Sequence, residues 1–234
     1  MLIVESISTG YGKKQVLFDV SFKVSKGDIV LLAGSNGSGK STLLKTIFGI
    51  LPLWNSGQIL FDGENITGKP TSTLLKKGLL YIPQKNSLFE DLTVKENLKM
   101  AGLTISDKKV LNQRIENALT NFASLLPHLH RIPMKLSGGE RQLLTLAMAS
   151  LHEPKLLMID EPLTGLSTQN INFVTENLKK LNREKSIPLL IVEHRVKECS
   201  SIASKIIGLK LGKVFSDTEV STTFNLNELN LIFV

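Results

Sequence analysis

The residues Gly34-Ser35-Asn36-Gly37-Ser38-Gly39-Lys40-Ser41, with Thr42 behind them, fit the pattern G-x-x-x-x-G-K-S/T. Glycines at these positions let successive backbone N–H groups curl into a concave nest for an anion, free of side-chain interference. Lys40 would reach the β- and γ-phosphates as a point charge, and the Ser41 hydroxyl would be a ligand for Mg²⁺. Further along, Asp160 and Glu161 close the apolar run Leu156-Leu157-Met158-Ile159. The first carboxylate could hold Mg²⁺ through its water shell, and the second could orient or deprotonate an attacking water. Phosphoryl chemistry on a nucleoside triphosphate is what these residue types and spacings point to.

Such a site needs a strand before the nest and a helix after it, with the helix N-terminus behind the phosphates. Residues 28–33 supply a continuous apolar strand of the buried kind, and a helix is predicted over about 40–48. Strands are also predicted at residues 2–8, 16–24, 58–62, 79–82, 156–159 and 189–192, and helices at about 137–151 and 169–184. The alternation argues for an α/β chain with a largely parallel sheet, whose C-terminal strand ends open on one edge with the glycine-rich loop. From about 93 to 126 the character is helical, and Leu111, Ile115, Leu119, Phe122 and Leu126 mark one apolar face. Pro127 and Pro133 close that segment. Val214-Phe215 and the residues beyond Ser216 carry too weak a pattern to assign.

The 234 residues are 42% apolar and 21% charged, ordinary for a globular chain with a sizeable core. No run approaches the roughly 18 apolar residues of a membrane-spanning helix, and Met1-Leu2-Ile3-Val4-Glu5 lacks the start of a signal peptide. A single cysteine, Cys199, rules out an internal disulfide framework and suits a reducing cytoplasm. The net charge of +7 favours anionic partners, although aromatic residues do not interleave with basic ones as on a nucleic-acid platform. His128 and His130 flank Leu129 between two prolines, without the further ligands a metal site would need.

Leu136-Ser137-Gly138-Gly139-Glu140-Arg141-Gln142 resembles the signature sequence of ABC-type (ATP-binding cassette) ATPases. Read alone, Ser137 and Glu140 form a capping box at a helix start, and the glycine pair exposes backbone N–H groups to an anion. The resemblance spans residues 11–212 and implies a P-loop NTPase core with a mostly parallel sheet, an N-terminal antiparallel β portion and a helical insertion. The chain is expected to be one domain: core at 1–85 and 153–215, a helical subdomain at 86–152 and a tail at 216–234. Family likeness gives Tyr11, in Gly10-Tyr11-Gly12, the role of stacking on adenine. It makes Gln84 the loop glutamine that touches Mg²⁺ or the water, and His194 the switch histidine that hydrogen-bonds the γ-phosphate and supports Glu161.

In that family Ser137, Gly138 and Gly139 meet the γ-phosphate of ATP bound to a second ATPase subunit, so two copies sandwich two ATP molecules. Ser167 departs from the pattern, standing where many members carry an aspartate that couples the two sites. The resemblance implies an ATP-hydrolysing subunit, dependent on Mg²⁺, that is cytoplasmic and peripheral on the inner face of the cell membrane. Separate transmembrane subunits would be its partners, and no nucleic acid is expected. ATPase subunits of branched-chain amino-acid uptake systems are the most similar subclass, with lipopolysaccharide-export ATPases also similar. The alternatives are a soluble ABC-type ATPase acting on nucleic acid or ribosomes, and a regulatory module with little hydrolysis. Lys40, Asp160, Glu161 and His194 are all present, which argues against the latter.

Overall fold

Alternating apolar residues at the N-terminus build a sheet with one buried face. The computed structural model describes residues 1–220 apart from 55 and 86. Strand β1 (Leu2–Tyr11) pairs antiparallel with β2 (Lys14–Val24) across a tight turn at Gly12-Lys13, burying Leu2, Val4, Ile7, Leu17, Val20 and Phe22. Strand β3 (Ile29–Ala33) is buried at every residue, and helix α1 (Lys40–Ile47) follows the glycine-rich loop. Strand β4 (Gln58–Phe61) returns antiparallel to β1, and β5 (Glu64–Asn65) forms a short hairpin with it.

Helix α2 (Thr71–Lys76) starts after Pro70 and leads into β6 (Leu79–Ile82). Three helices follow, α3 (Val94–Ala101), α4 (Lys108–Asn121) and α5 (Gly138–Ser150). The chain then runs through β7 (Leu156–Asp160), α6 (Thr168–Lys185), β8 (Leu189–Val192), α7 (Val196–Ser200), β9 (Lys205–Lys210) and β10 (Lys213–Glu219).

Two sheets result, one ordered β2-β1-β4-β5 and the other β10-β9-β3-β8-β7-β6. In the second, β9, β3, β8, β7 and β6 run parallel, and β10 closes one edge antiparallel to β9. Successive residues of a strand face opposite sides, so the parallel sheet feeds two cores. Val30, Leu32, Met158, Leu190 and Val192 face the antiparallel sheet and α1. Leu31, Leu157, Ile159, Leu189 and Ile191 face α5, α6 and α7. The fold is therefore the α/β class expected from the sequence, and β3, β7 and β8 all end on the edge where the glycine-rich loop begins.

The segment from 93 to 126 is not one helix. α3 opens with a capping box between Thr93 and Glu96 and stops at Gly102, and Asp107 caps a new helix, its carboxylate accepting from Lys109 N–H. α4 stops in turn at Phe122, whose φ of −115° and ψ of 53° leave the helical region, and a 3-10 stretch covers Ala123–His128. With three residues per turn from there, the inward side moves from Phe122 to Leu125. Leu125 is fully buried and Leu126 is 49% exposed, so Leu126 is off the apolar face expected of it. Strand β9 and helices α2 and α7 have no counterpart among the elements predicted from sequence. Val214 and Phe215 lie in β10. Of the tail, residues 221–234 lie outside the described residues.

Candidate functional site

The loop after β3 is shaped by contacts that leave no room for side chains. A Cβ on Gly34 would stand 2.2 Å from the Leu209 carbonyl oxygen. Gly39 has φ +106°, and its Cβ would stand 2.7 Å from Leu17 Cδ2. Gly39 is also the N-cap of α1 and offers no side-chain cap, so the first amides of that helix keep their donors facing the loop. Lys40 turns its Nζ back to donate to the carbonyl oxygens of Gly34 at 2.8 Å and Ser35 at 3.0 Å. Burial pulls the Lys40 pKa down, against the opposing charges of Glu161, Asp160 and Glu193. Ser38 is buried with its hydroxyl unpartnered. Its carbonyl oxygen accepts from Gly212 N–H, which ties the β9–β10 turn to the loop. An open cleft of about 270 Å³ lies over the loop, lined by Val16, Asn36, Gly37, Gly39, Lys40, Ser41, Thr42 and Glu161.

Parallel pairing of β3, β8 and β7 brings Asp160 to this loop across 119 residues of sequence separation. Ser41 Oγ donates to Asp160 Oδ1 at 3.0 Å, and Tyr81 Oη donates to Asp160 Oδ2 at 3.2 Å. Burial lifts the Asp160 carboxyl above the usual carboxylate range, although both hydrogen bonds act the other way. The Tyr81 phenol is pushed up in turn, by burial and then by the Asp160 charge. A hydroxyl and a disfavoured carboxylate facing each other are hard oxygen donors that a small divalent cation would suit. Among the described residues no group of three or more His, Cys, Asp or Glu could hold a metal ion by itself.

Glu161 stands one residue on with φ +50°, an uncommon conformation for a residue with a side chain, held by its N–H donating to Val192 O at 2.9 Å. Its Oε2 accepts from Gln84 Nε2 and, at 2.9 Å, from Thr164 Oγ1. His194 Nδ1 lies 3.9 Å from the same oxygen. The structure thus brings Gln84 and His194 to Glu161, while Asp160 is partnered by Ser41 and Tyr81. Behind His194, Glu193 is fully buried and accepts from three backbone N–H groups.

Tyr81, Thr164 and Glu193 are site residues that reading the sequence did not pick out. The usable signals were that Tyr81 precedes Gln84 on a strand and that Glu193 continues an apolar strand where a charge needs a partner.

Tyr11 ends β1 and is 47% exposed. Ser137 caps α5 as expected: its Oγ accepts from Glu140 N–H at 3.3 Å, and Glu140 Oε2 accepts from Ser137 N–H at 2.8 Å. His128 Nε2 pairs with Glu140 at 2.9 Å. Added Cβ atoms at Gly138 and Gly139 would meet Leu166 Cδ2 at 2.7 Å and Asn170 Oδ1 at 3.0 Å, so the glycine pair also lets α5 close on the start of α6. Ser167 caps α6 through Asn170 N–H at 3.4 Å. Gly138 lines a second cleft, of about 390 Å³, together with Gln84, Arg141, Thr164, Gly165 and Leu166. Gln84 and Thr164 in this cleft both bond Glu161, which lines the cleft over Lys40.

Comparison with known proteins gives a consistent family. A profile described as ABC transporter matches residues 17–164. The chain is 39% identical over 214 residues to a probable branched-chain amino acid transport ATP-binding protein, LivF, of Archaeoglobus fulgidus, covering 92% of this chain and 90% of that one. It is 38% identical to the high-affinity branched-chain amino acid transport ATP-binding protein BraG of Pseudomonas aeruginosa, covering 92% and 91%. Among solved structures, a nucleotide-free ATP-binding cassette from an ABC transporter matches with a TM-score of 0.87 at 25% identity, covering 99% and 94%.

Proposed function

We infer the function from one premise: the chain belongs to the ABC transporter family of ATP-binding proteins, ATPases coupled to transport. Our reading is that it powers uptake of branched-chain or related amino acids through separate membrane subunits. The names of its relatives support that substrate class. No helix among the described residues is long and apolar enough to cross a membrane. In this reading, which follows the transport relatives, translocation falls to those partners and this chain sits at the cytoplasmic face.

In this reading residues 1–85 and 153–215 form the nucleotide-binding core and 86–152 the helical subdomain; of the tail expected at 216–234, residues 216–219 belong to strand β10 of the core sheet. The amides of residues 34–42 and the Lys40 ammonium bind the phosphates of ATP, and the Tyr11 ring stacks on adenine. Ser41 and Asp160 would hold Mg²⁺, with Gln84 reaching it or the attacking water from its place against Glu161; when bound, the ion supplies charge neutralisation at the phosphates. Glu161 takes a proton from the water that attacks the γ-phosphorus, as the bond to the ADP oxygen breaks. Gln84 and Thr164 fix the orientation of that carboxylate, and His194 donates to the γ-phosphate oxygens. Ser137, Gly138 and Gly139 complete the site on a second copy packed head to tail, closing when ATP binds.

The observation that carries the reading is the convergence of Lys40, Ser41, Gln84, Asp160, Glu161 and His194, from four separate stretches of sequence, on one edge of the parallel sheet. Purified protein is expected to release phosphate from Mg-ATP, and Lys40→Ala to abolish release. After detergent extraction the protein is expected to co-purify with integral membrane subunits. Absence of phosphate release from purified protein and from the assembled transporter would refute the reading, and recovery with nucleic acid instead would refute the transport assignment.

A further inference from the structure

Glu193 is a carboxylate with no exposed surface, at the C-terminal end of β8. A buried carboxylate is unfavourable unless hydrogen bonds replace its water, and here two separate loops supply them. Oε1 accepts from Leu163 N–H at 2.6 Å, in the segment that runs from Glu161 to Ser167. Oε2 accepts from His194 N–H at 3.1 Å and Arg195 N–H at 3.4 Å. One side chain therefore bridges the backbone after Glu161 and the backbone that carries His194.

Among the described residues the His194 ring has no partner within hydrogen-bonding distance. Its Nδ1 lies 3.9 Å from Glu161 Oε2 and 3.9 Å from Glu193 Oε2, beyond hydrogen-bonding distance of either. Its position against Glu161 rests on where its backbone is held. We propose that Glu193 is a positioning residue for ATP hydrolysis, clamping the loop after Glu161 to the His194 loop and so setting the distance between those two side chains. The inference rests on the ATPase reading. A glutamine could satisfy one loop but would present an amide N–H to the donors of the other. The requirement is thus for a group that accepts at both ends, which the carboxylate meets.

Single-turnover hydrolysis of γ-labelled ATP, with protein in excess, tests this in a double-mutant cycle. Glu193→Ala is expected to slow hydrolysis by about ten- to a hundredfold, as loss of alignment does. ATP affinity by titration calorimetry should stay within about twofold, since no phosphate contact is removed. Glu193→Gln should lie between the two. In a His194→Ala background either substitution should lose most of its effect, because the group it positions is gone. A residue that merely supports the fold would cost the same factor in both backgrounds, and that result, or no slowing in the native background, would overturn the proposal. Should Glu193→Ala fail to fold, the isosteric Glu193→Gln carries the same cycle. Absence of hydrolysis by the unsubstituted protein would sink the ATPase reading with it, whereas hydrolysis with equal factors sinks the clamp alone.

Discussion

Replacing Glu161 by glutamine separates geometry from basicity. Oε2 accepts from Gln84 Nε2 and Thr164 Oγ1 and faces His194. A glutamine amide can set its oxygen in that position and keep both hydrogen bonds, which leaves its NH₂ where the second carboxylate oxygen stood. The side chain is then held as before but has no basic oxygen to accept a proton from water. Loss of a general base costs a factor of about 10²–10⁴ in kcat, or about 3–5 kcal/mol on the barrier. Lys40 and the amides of the loop are untouched, so ATP affinity should be unchanged. Phosphate release gives kcat, and titration calorimetry gives the affinity. A kcat within about threefold of the unsubstituted protein at equal affinity would refute the assignment of Glu161 as base. A collapse of affinity would instead make the carboxylate part of the binding site.

Tyr11→Ala should weaken ATP and GTP alike, by about 1–3 kcal/mol, because stacking reads a ring face and not its donors. Tyr11→Phe should be nearly neutral in the same calorimetric titration, and equal damage by both would point to the hydroxyl. Leu125→Ala should cost about 2–5 kcal/mol in urea unfolding, since the side chain is fully buried. Leu126→Ala, at a 49% exposed position, should stay within about 0.5 kcal/mol, and equal costs would contradict the 3-10 turn between them. Asp160→Asn should raise the melting temperature in the absence of Mg²⁺ and nucleotide while abolishing turnover. Burial raises the Asp160 pKa on folding, so ionisation of this carboxyl opposes folding. Asparagine removes that charge; one of the Ser41 and Tyr81 hydroxyls can go on donating to its oxygen while the other turns to accept from its NH₂. Scanning calorimetry would show about 2–4 °C for each kcal/mol relieved, and a fall would refute the argument.

Buried parallel strands announce themselves as unbroken apolar runs, which is why residues 28–33, 156–159 and 189–192 were legible with the loop and carboxylates at their ends. The capping box of Ser137 and Glu140 was legible too, being a pattern within one turn. Leu126 misled because 3.6-residue periodicity was carried past Phe122, where the backbone tightens to three residues per turn. The short helix α2 was invisible because six residues with one buried side chain show no period. Strand β9 holds Ile206, Ile207 and Leu209, but Gly208 interrupts the run, and only its place beside β3 makes it a strand. Tyr81 and Glu193 could not be assigned because partners of theirs are set by tertiary structure: Tyr81 reaches Asp160 across 79 residues, and Glu193 reaches Leu163 across 30, whereas Thr164 bonds Glu161 only three residues back, in a turn with no sequence period.

In the proposed assembly one chain holds ATP and a second chain's Ser137, Gly138 and Gly139 complete the site. Light scattering of the Glu161→Gln protein measures this most directly, because a protein that binds ATP without cleaving it should remain paired. The mass of two chains is expected with Mg-ATP, the mass of one with ADP or without nucleotide, and the mass of one in all three conditions once Ser137→Arg is added. A single-chain mass for Glu161→Gln with saturating Mg-ATP, or a dimer indifferent to nucleotide and to Ser137→Arg, would contradict it.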